Sequence, residues 1–247
     1  MKIFQGFLFL VIIVATHPLQ AASVIWGTPQ GISSDTDVSE FGLLLYAYTF
    51  GSEGVPATSV NGVTFQSFGV PDGSSSTMVI DDVSLAISEN NSFFTNNDAG
   101  YDSGAFAALP SDYQELLMSG ISTSEASGVI TLTLGGLTSG QIYAVQFWSN
   151  DSSGGLAGVD SESVYTAGNA VELDDNTMDA NGGVGQWVIG AFTADSVTQV
   201  FTIQSSPTTT FPALNAFQLR AIPEPTCGAL LGLGAVVIYW QLRRRIA

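Results

Sequence analysis

An all-β fold, a single β-sandwich with one short helix, is predicted by three observations on this 247-residue chain. Apolar and polar residues alternate with period two over several short runs, those runs are separated by Gly, Asn, Asp, Ser and Pro, and helical periodicity surfaces only once. The folding part spans about 200 residues, 22–221, enough for one well-cored domain. No internal repeat and no second domain boundary interrupts it.

The elements follow in order. Phe41 to Phe50 and Val63 to Phe68 read as strands, with Asn61-Gly62 as a tight turn, and Met78 to Ile87 is a weaker strand. Ser111 to Met118 is the helix, capped by Ser111 and pinned to the sandwich by Tyr113, Leu116 and Leu117. Val129 to Leu134 puts Ile130, Leu132 and Leu134 on one face, and Gln141 to Trp148 puts Tyr143, Val145 and Phe147 together. The turn residues 135–140 between them predict a hairpin. Trp187 to Thr193, Gln199 to Gln204 and Ala213 to Arg220 complete the strands, spaced as in a sandwich.

The two ends have a different character. Lys2 precedes an apolar stretch from Phe7 to Ala15, and Leu19-Gln20-Ala21 offers small or aliphatic residues at the cleavage subsites. Residues 1–21 therefore read as a secretory signal peptide, with cleavage after Ala22 as an equal alternative and a retained anchor as another. At the other end, Pro223 and Pro225 fix φ, lack N–H groups and push their predecessors toward extended geometry, which makes 222–226 a stiff strut. The run 227–242 carries no charge and ends in Tyr239 and Trp240 before Arg243, Arg244 and Arg245. It reads as a single transmembrane helix. Its sixteen residues reach about 24 Å, short of a usual span, a deficit that snorkelling arginines and local thinning of the bilayer cover. A buried core helix is the alternative, but it leaves three arginines beside its apolar end. The positive-inside rule keeps those arginines cytoplasmic and the body on the far side of the membrane.

Charge and composition exclude several functions. Of the 22 acidic residues 21 lie in the body, where Arg220 is the sole basic residue. Such a surface repels nucleic acid and lacks the cations that phosphate contacts need. His17, Cys227 and Lys2 are each the only residue of their type, and all three lie outside the body. No serine there has a His or Lys to take its proton, zinc and haem lack their usual ligands, and no disulfide forms. Carboxylate pairs remain, Asp81-Asp82 and Asp174-Asp175, but neighbours on a strand point to opposite faces.

Two ligand classes stay open. For a sugar, Trp148 running into Asn150 and Asp151 is the first candidate platform, with Trp26 and Trp187 as further aromatics; each also reads as a core or edge residue. For calcium, Asn96, Asp98 and Asp102 place oxygens around Gly100, and Asp174-Asp175-Asn176 with Asp179 forms another cluster. Asn, Asp and Gly are equally ordinary turn residues. No other cofactor is expected.

Pro223-Glu224-Pro225, the apolar run 227–242 and the arginine cluster together resemble the PEP-CTERM sorting signal of Gram-negative envelope proteins. The resemblance implies recognition of Pro223, Glu224 and Pro225 by exosortase, with Ile222 replacing the frequent Val, and Arg243, Arg244 and Arg245 closing the signal. The body resembles exported jelly-roll modules of the galactose-binding or carbohydrate-binding type. That likeness is carried by 128–148, 185–194 and 214–220, less than a fifth of the chain. The expectation is an exported, non-enzymatic surface or matrix protein, structural or adhesive, held at the membrane by 227–242. A carbohydrate-binding module for exopolysaccharide is the alternative, and a carboxylate-based glycosidase the lesser one.

Overall fold

The computed structural model describes residues 22–71, 77–88, 91–95, 103–123, 125, 127–153, 162–206 and 211–223. In chain order the first half contains β1 Ile25–Trp26, β2 Gln30–Gly31, a 3₁₀ turn Asp35–Asp37, β3 Leu43–Ser52, β4 Thr58–Val60, β5 Val63–Val70, β6 Met78–Ile80, β7 Val83–Ile87 and β8 Asn91–Thr95. Two short helices follow, α1 Gly104–Ala107 and α2 Ser111–Leu117, then β9 Ser119–Thr123. The second half is strand throughout: β10 Val129–Leu134, β11 Ile142–Ser149, β12 Glu162–Ala167, β13 Asn169–Asp174, β14 Gln186–Thr193, β15 Gln199–Ser205, β16 Ala213–Leu214 and β17 Ala216–Ile222.

These strands build two large sheets and one small one. The first runs β1-β14-β11-β17-β3-β5-β4, with β2 beside β14, and the second runs β13-β12-β15-β10-β7-β6. A third sheet, β16-β9-β8, adjoins them. All pairings are antiparallel except β3 with β5. Between the large sheets lies the main core, in which Phe147, Phe201 and Phe217 have no solvent exposure. Phe147 meets Phe201 edge-on at 5.2 Å and Tyr165 at 5.1 Å. This is the two-sheet β-sandwich that the alternation predicts.

The hairpin expected over 129–148 does not form. β10 pairs with β7 and β15, whereas β11 pairs with β14 and β17 in the other sheet. The inward residues Ile130, Leu132 and Leu134 and the inward residues Tyr143, Val145 and Phe147 face one core from opposite sides. Alternation specified the faces correctly, but two strands that each bury one face satisfy it equally well by facing each other across a core. The link does not close a tight turn: Gly135 N donates to Asp82 O, Leu137 N to Val197 O and Gly140 N to Ala194 O.

The turn at Asn61-Gly62 does form between β4 and β5, with φ of 46° and 75°. Two successive positive φ values give the twist a two-residue hairpin requires, and Asn-Gly is the pair that adopts them at least cost. Helix α2 also forms, but Pro110 holds the cap position and Ser111 is the first helical residue, with no side-chain cap bond. Proline ahead of a helix supplies extended geometry without a donor to satisfy.

Tyr113, Leu116 and Leu117 do pin α2, though not to the main core. They sit on the outward face of the first sheet in a second cluster with Phe65, Phe106, Trp148, Val38 and Ala216. Beside it the loop before β3 is clamped by side chains of β11 and β17. Gln146 Nε2 donates to Asp37 O, Gln218 Nε2 to Ser39 O, and Arg220 Nη1 to Glu40 O and Gly42 O. Burial lowers the proton affinity of the Arg220 guanidinium and Glu40 partly restores it. The body's single cation is thus a structural clamp.

Candidate functional site

Trp148, the aromatic platform expected from the sequence, is 0% exposed. Its ring meets Phe65 edge-on at 5.5 Å, and its Nε1 donates to Tyr113 OH at 3.0 Å. Tyr113 in turn donates to Asp37 Oδ2 at 3.3 Å. The reason is positional: Phe147 faces inward, so Trp148 faces outward, where α2 covers the sheet. Trp26 is also packed, against Phe147 and Phe201, with Nε1 donating to Asn169 O. Trp187 lies opposite Trp148 on β14 and is half-buried. Trp148 therefore presents no face to solvent, whereas Trp26 and Trp187 are each partly exposed.

Asn150 is buried as well, and its role is to tie backbone. It accepts from Gly185 N on Oδ1 and donates from Nδ2 to Ser152 Oγ, while its N–H donates to Asn215 Oδ1. Asn215 then donates from Nδ2 to the carbonyls of Leu117, Ser119 and Asn150. Asp151 is half-buried and closes its own turn, accepting from Ser153 N and Oγ. Asn176 Nδ2 bridges Asp151 O and Ala180 O, both at 2.9 Å.

Beneath these loops Asp175 is 1% exposed and receives hydrogen bonds from Ser149 and Ser163. Tyr165 OH donates to Ala213 O at 2.6 Å, and burial pushes its hydroxyl pKa up. The neighbouring carboxylate serves elsewhere, since Asp174 Oδ1 accepts from Asn176 N. Asp81 and Asp82 occupy the exposed turn between β6 and β7, where Tyr48 OH donates to Asp81 at 3.0 Å. Asp175 is thus buried while Asp174 is half-buried, and Asp81 and Asp82 are both exposed.

A third segment joins this end of the sandwich. Gly182 N donates to Ser152 O, and Phe106 N donates to Gly182 O. Gly182 and Gly104 have φ of +79° and +64°, and a Cβ on either would come within 2.5 Å of a backbone oxygen of the other segment. Only glycine allows both the positive φ and the approach. Segments 103–109, 150–153 and 174–185 therefore form one tied cluster. It carries outward the exposed turn 177–181, with Met178 59% exposed beside Thr177, Asp179 and Asn181. Sequence reading found Asn150 and Asp151 but missed this turn, whose only signal was the Asp174-Asp175-Asn176 cluster with Asp179.

The calcium candidates Asn96, Asp98 and Asp102 lie outside the described residues. Among the described residues no group of three or more His, Cys, Asp or Glu is placed to hold a metal ion. Of the sorting residues Pro223 is described and exposed, while Glu224, Pro225, Arg243, Arg244 and Arg245 lie outside. So does the helix expected at 227–242, and among the described residues no helix is long and apolar enough to cross a membrane.

No family model matches the chain, and no curated protein matches it. Among solved structures it is similar to a family 35 carbohydrate binding module from Clostridium thermocellum, at 17% identity and a TM-score of 0.34, over 55% of this chain and 90% of that one. It is also similar to an exo-beta-1,3-galactanase from Phanerochaete chrysosporium with beta-1,3-galactotriose, at 16% identity and a TM-score of 0.30, over 65% of this chain. The chain spans about a third of the galactanase's length, 32%. The class, a two-sheet β-sandwich, rests on this chain's own strand order, and these values say nothing about a ligand.

Proposed function

We propose that the chain is an exported, non-catalytic surface or matrix protein whose sandwich holds the turn 177–181 and the loop 150–153 rigid for adhesive contact with neutral polysaccharide. One observation carries this reading: the buried polar side chains Asn150, Asp175, Asn176 and Asn215 are all spent on fixing this one end. Rigid loops bind at lower entropic cost than mobile ones. An apolar thioether beside hydroxyl, amide and carboxylate groups suits a sugar, with a C–H face and hydroxyls. The acidic surface disfavours anionic polymers. With no His, Lys or Cys in the body, general base and nucleophile chemistry of the usual kinds has no carrier.

Affinity electrophoresis through gels containing neutral polysaccharides tests it. The protein is expected to be retarded by at least one polymer, and Met178→Ala/Asn181→Ala to bind at least fivefold more weakly with an unchanged unfolding midpoint. Free migration of the wild type through every neutral polymer would defeat the reading.

Export and sorting belong to the same proposal. β17 lies between β11 and β3 and ends at Ile222, so the Pro223-Glu224-Pro225 box leaves directly from a central strand. Pro223 has no N–H with which to extend the ladder beyond Ile222. The helix 227–242 would hold the chain at the membrane with Arg243, Arg244 and Arg245 on the cytoplasmic side. In a host that has exosortase, Pro223→Ala/Pro225→Ala is expected to remain with the membrane fraction while the wild type is redistributed. Indistinguishable fractionation would remove exosortase as the partner.

A further inference from the structure

Gln199 opens β15 opposite Leu134, and its side chain is 0% exposed. Its Nε2 donates to Ala22 O at 3.0 Å, yet its Oε1 has no hydrogen-bond partner among the described residues. A buried amide oxygen left unpaired is costly and rare. Ala22 itself packs against the main core, and the chain is bound into the sandwich from there onward. Val24 N donates to Ala167 O at 2.9 Å, and Asn169 Nδ2 donates to Val24 O at 3.0 Å.

We propose that this place is a socket for a free α-ammonium on Ala22, and that Gln199 Oε1 accepts one of its protons. The proposal rests on the export reading above. A leader-removing peptidase, acting from outside this chain, would hydrolyse the peptide bond between Ala21 and Ala22. Water supplies the hydroxyl of the new Ala21 carboxyl group and a proton to the released amine, which takes up a further proton at neutral pH. Inside a peptide, Ala22 offers one N–H whose direction the amide plane dictates, whereas an ammonium offers three donors that rotate about the N–Cα bond. Gln199 already grips the carbonyl of this residue. The unpaired Oε1 thus belongs to the amide that already bonds the residue whose nitrogen cleavage would free.

The fold thereby chooses between the two cleavage positions that the sequence leaves open. Cleavage after Ala22 would remove the nearer of the two acceptors of Nε2, leaving Val200 O at 3.3 Å, and would leave Oε1 unpaired.

The readout is clean because the chain has no lysine after Lys2, so the mature protein carries a single primary amine. The test uses the chain from Ala22 to Ala247 in mild detergent, with and without one added glycine before Ala22, each in the parent and in Gln199→Met. The added glycine is expected to raise the unfolding equilibrium constant about tenfold in the parent and less than twofold in Gln199→Met. An equal effect in both, or none in either, overturns the socket. Reductive methylation gives a second measure that needs no variant: the amine of the folded chain is expected to react at least fivefold more slowly than that of the unfolded chain. Equal rates overturn the proposal. N-terminal sequencing of the exported protein is expected to begin at Ala22, and a start at Ser23 overturns the socket. A retained Met1 overturns the export reading instead, and the glycine and labelling comparisons still decide the socket.

Discussion

The first sheet has two buried faces, and they are built differently. Its inner face meets the second sheet through apolar side chains: Phe147 lies 5.2 Å from Phe201 and 5.1 Å from Tyr165, with Leu85, Ile130, Leu132 and Leu134 in the same core. Within the first sheet Phe217 gathers Phe50, Tyr48 and Phe147. The outer face is covered by α2 and the loop before β3, and polar bonds run through it, from Trp148 to Tyr113 to Asp37. Inside, burial of apolar area and dense ring packing suffice. Outside, helix and loop make a smaller cover, and placing them takes hydrogen bonds with defined partners. The contrast teaches that β11 and β17 are buried on both sides, which is why residues 145–149 and 216–220 are buried without alternation.

The sharpest way to break this contrast is Phe217→Ala. Removing the ring shared by four aromatic neighbours should cost about 3–5 kcal/mol in guanidinium unfolding. A cost below about 2 kcal/mol would mean that the inner face is not one continuous packed layer. Tyr113→Phe acts on the outer face and changes almost no volume. It strands the buried Trp148 Nε1 and removes the donor to Asp37, so about 1–3 kcal/mol is expected. No change in the unfolding midpoint would reduce the outer bonds to geometry without energy.

The smallest effect is invisible at neutral pH. Tyr48 is pushed up to about 12, first by burial and then by its hydrogen bond to Asp81. Burial also raises Tyr46, Tyr165 and, on the outer face, Tyr113, where Asp37 adds to it. A raised pKa means that the unfolded tyrosine releases its proton first. The stabilisation is therefore fully present below about pH 10 and is lost as pH climbs toward 12. Guanidinium midpoints measured from pH 9 to 12 should fall across that window, and a flat profile would contradict the tyrosine burial.

Much of the inner face was legible in the residues. Ile130, Leu132, Leu134, Tyr143, Val145 and Phe147 all point where period two sends them, and Asn61-Gly62 makes its turn. The pairing of 129–134 with 141–148 was misread because a glycine-rich link is compatible with a hairpin and with a crossing between sheets. The site was less legible. Asn150 and Asp151 were noticed, but as ligand contacts, since sequence cannot tell an amide that binds a sugar from one that binds a distant backbone. The partners of Asn150 make the point: Gly185 and Asn215 are far along the chain and become neighbours only when β11, β14 and β17 pair.

The sequence by itself determined the class of the body, the inward face of its strands and the absence of His, Lys and Cys, because these follow from residue type and a local period. Only the tertiary structure decided that Trp148 is covered, that Arg220 is a clamp, and that 103–109, 150–153 and 174–185 form one end. Those outcomes depend on which strands pair and which face α2 covers, and long-range pairing is set by packing the whole chain at once rather than by any local pattern.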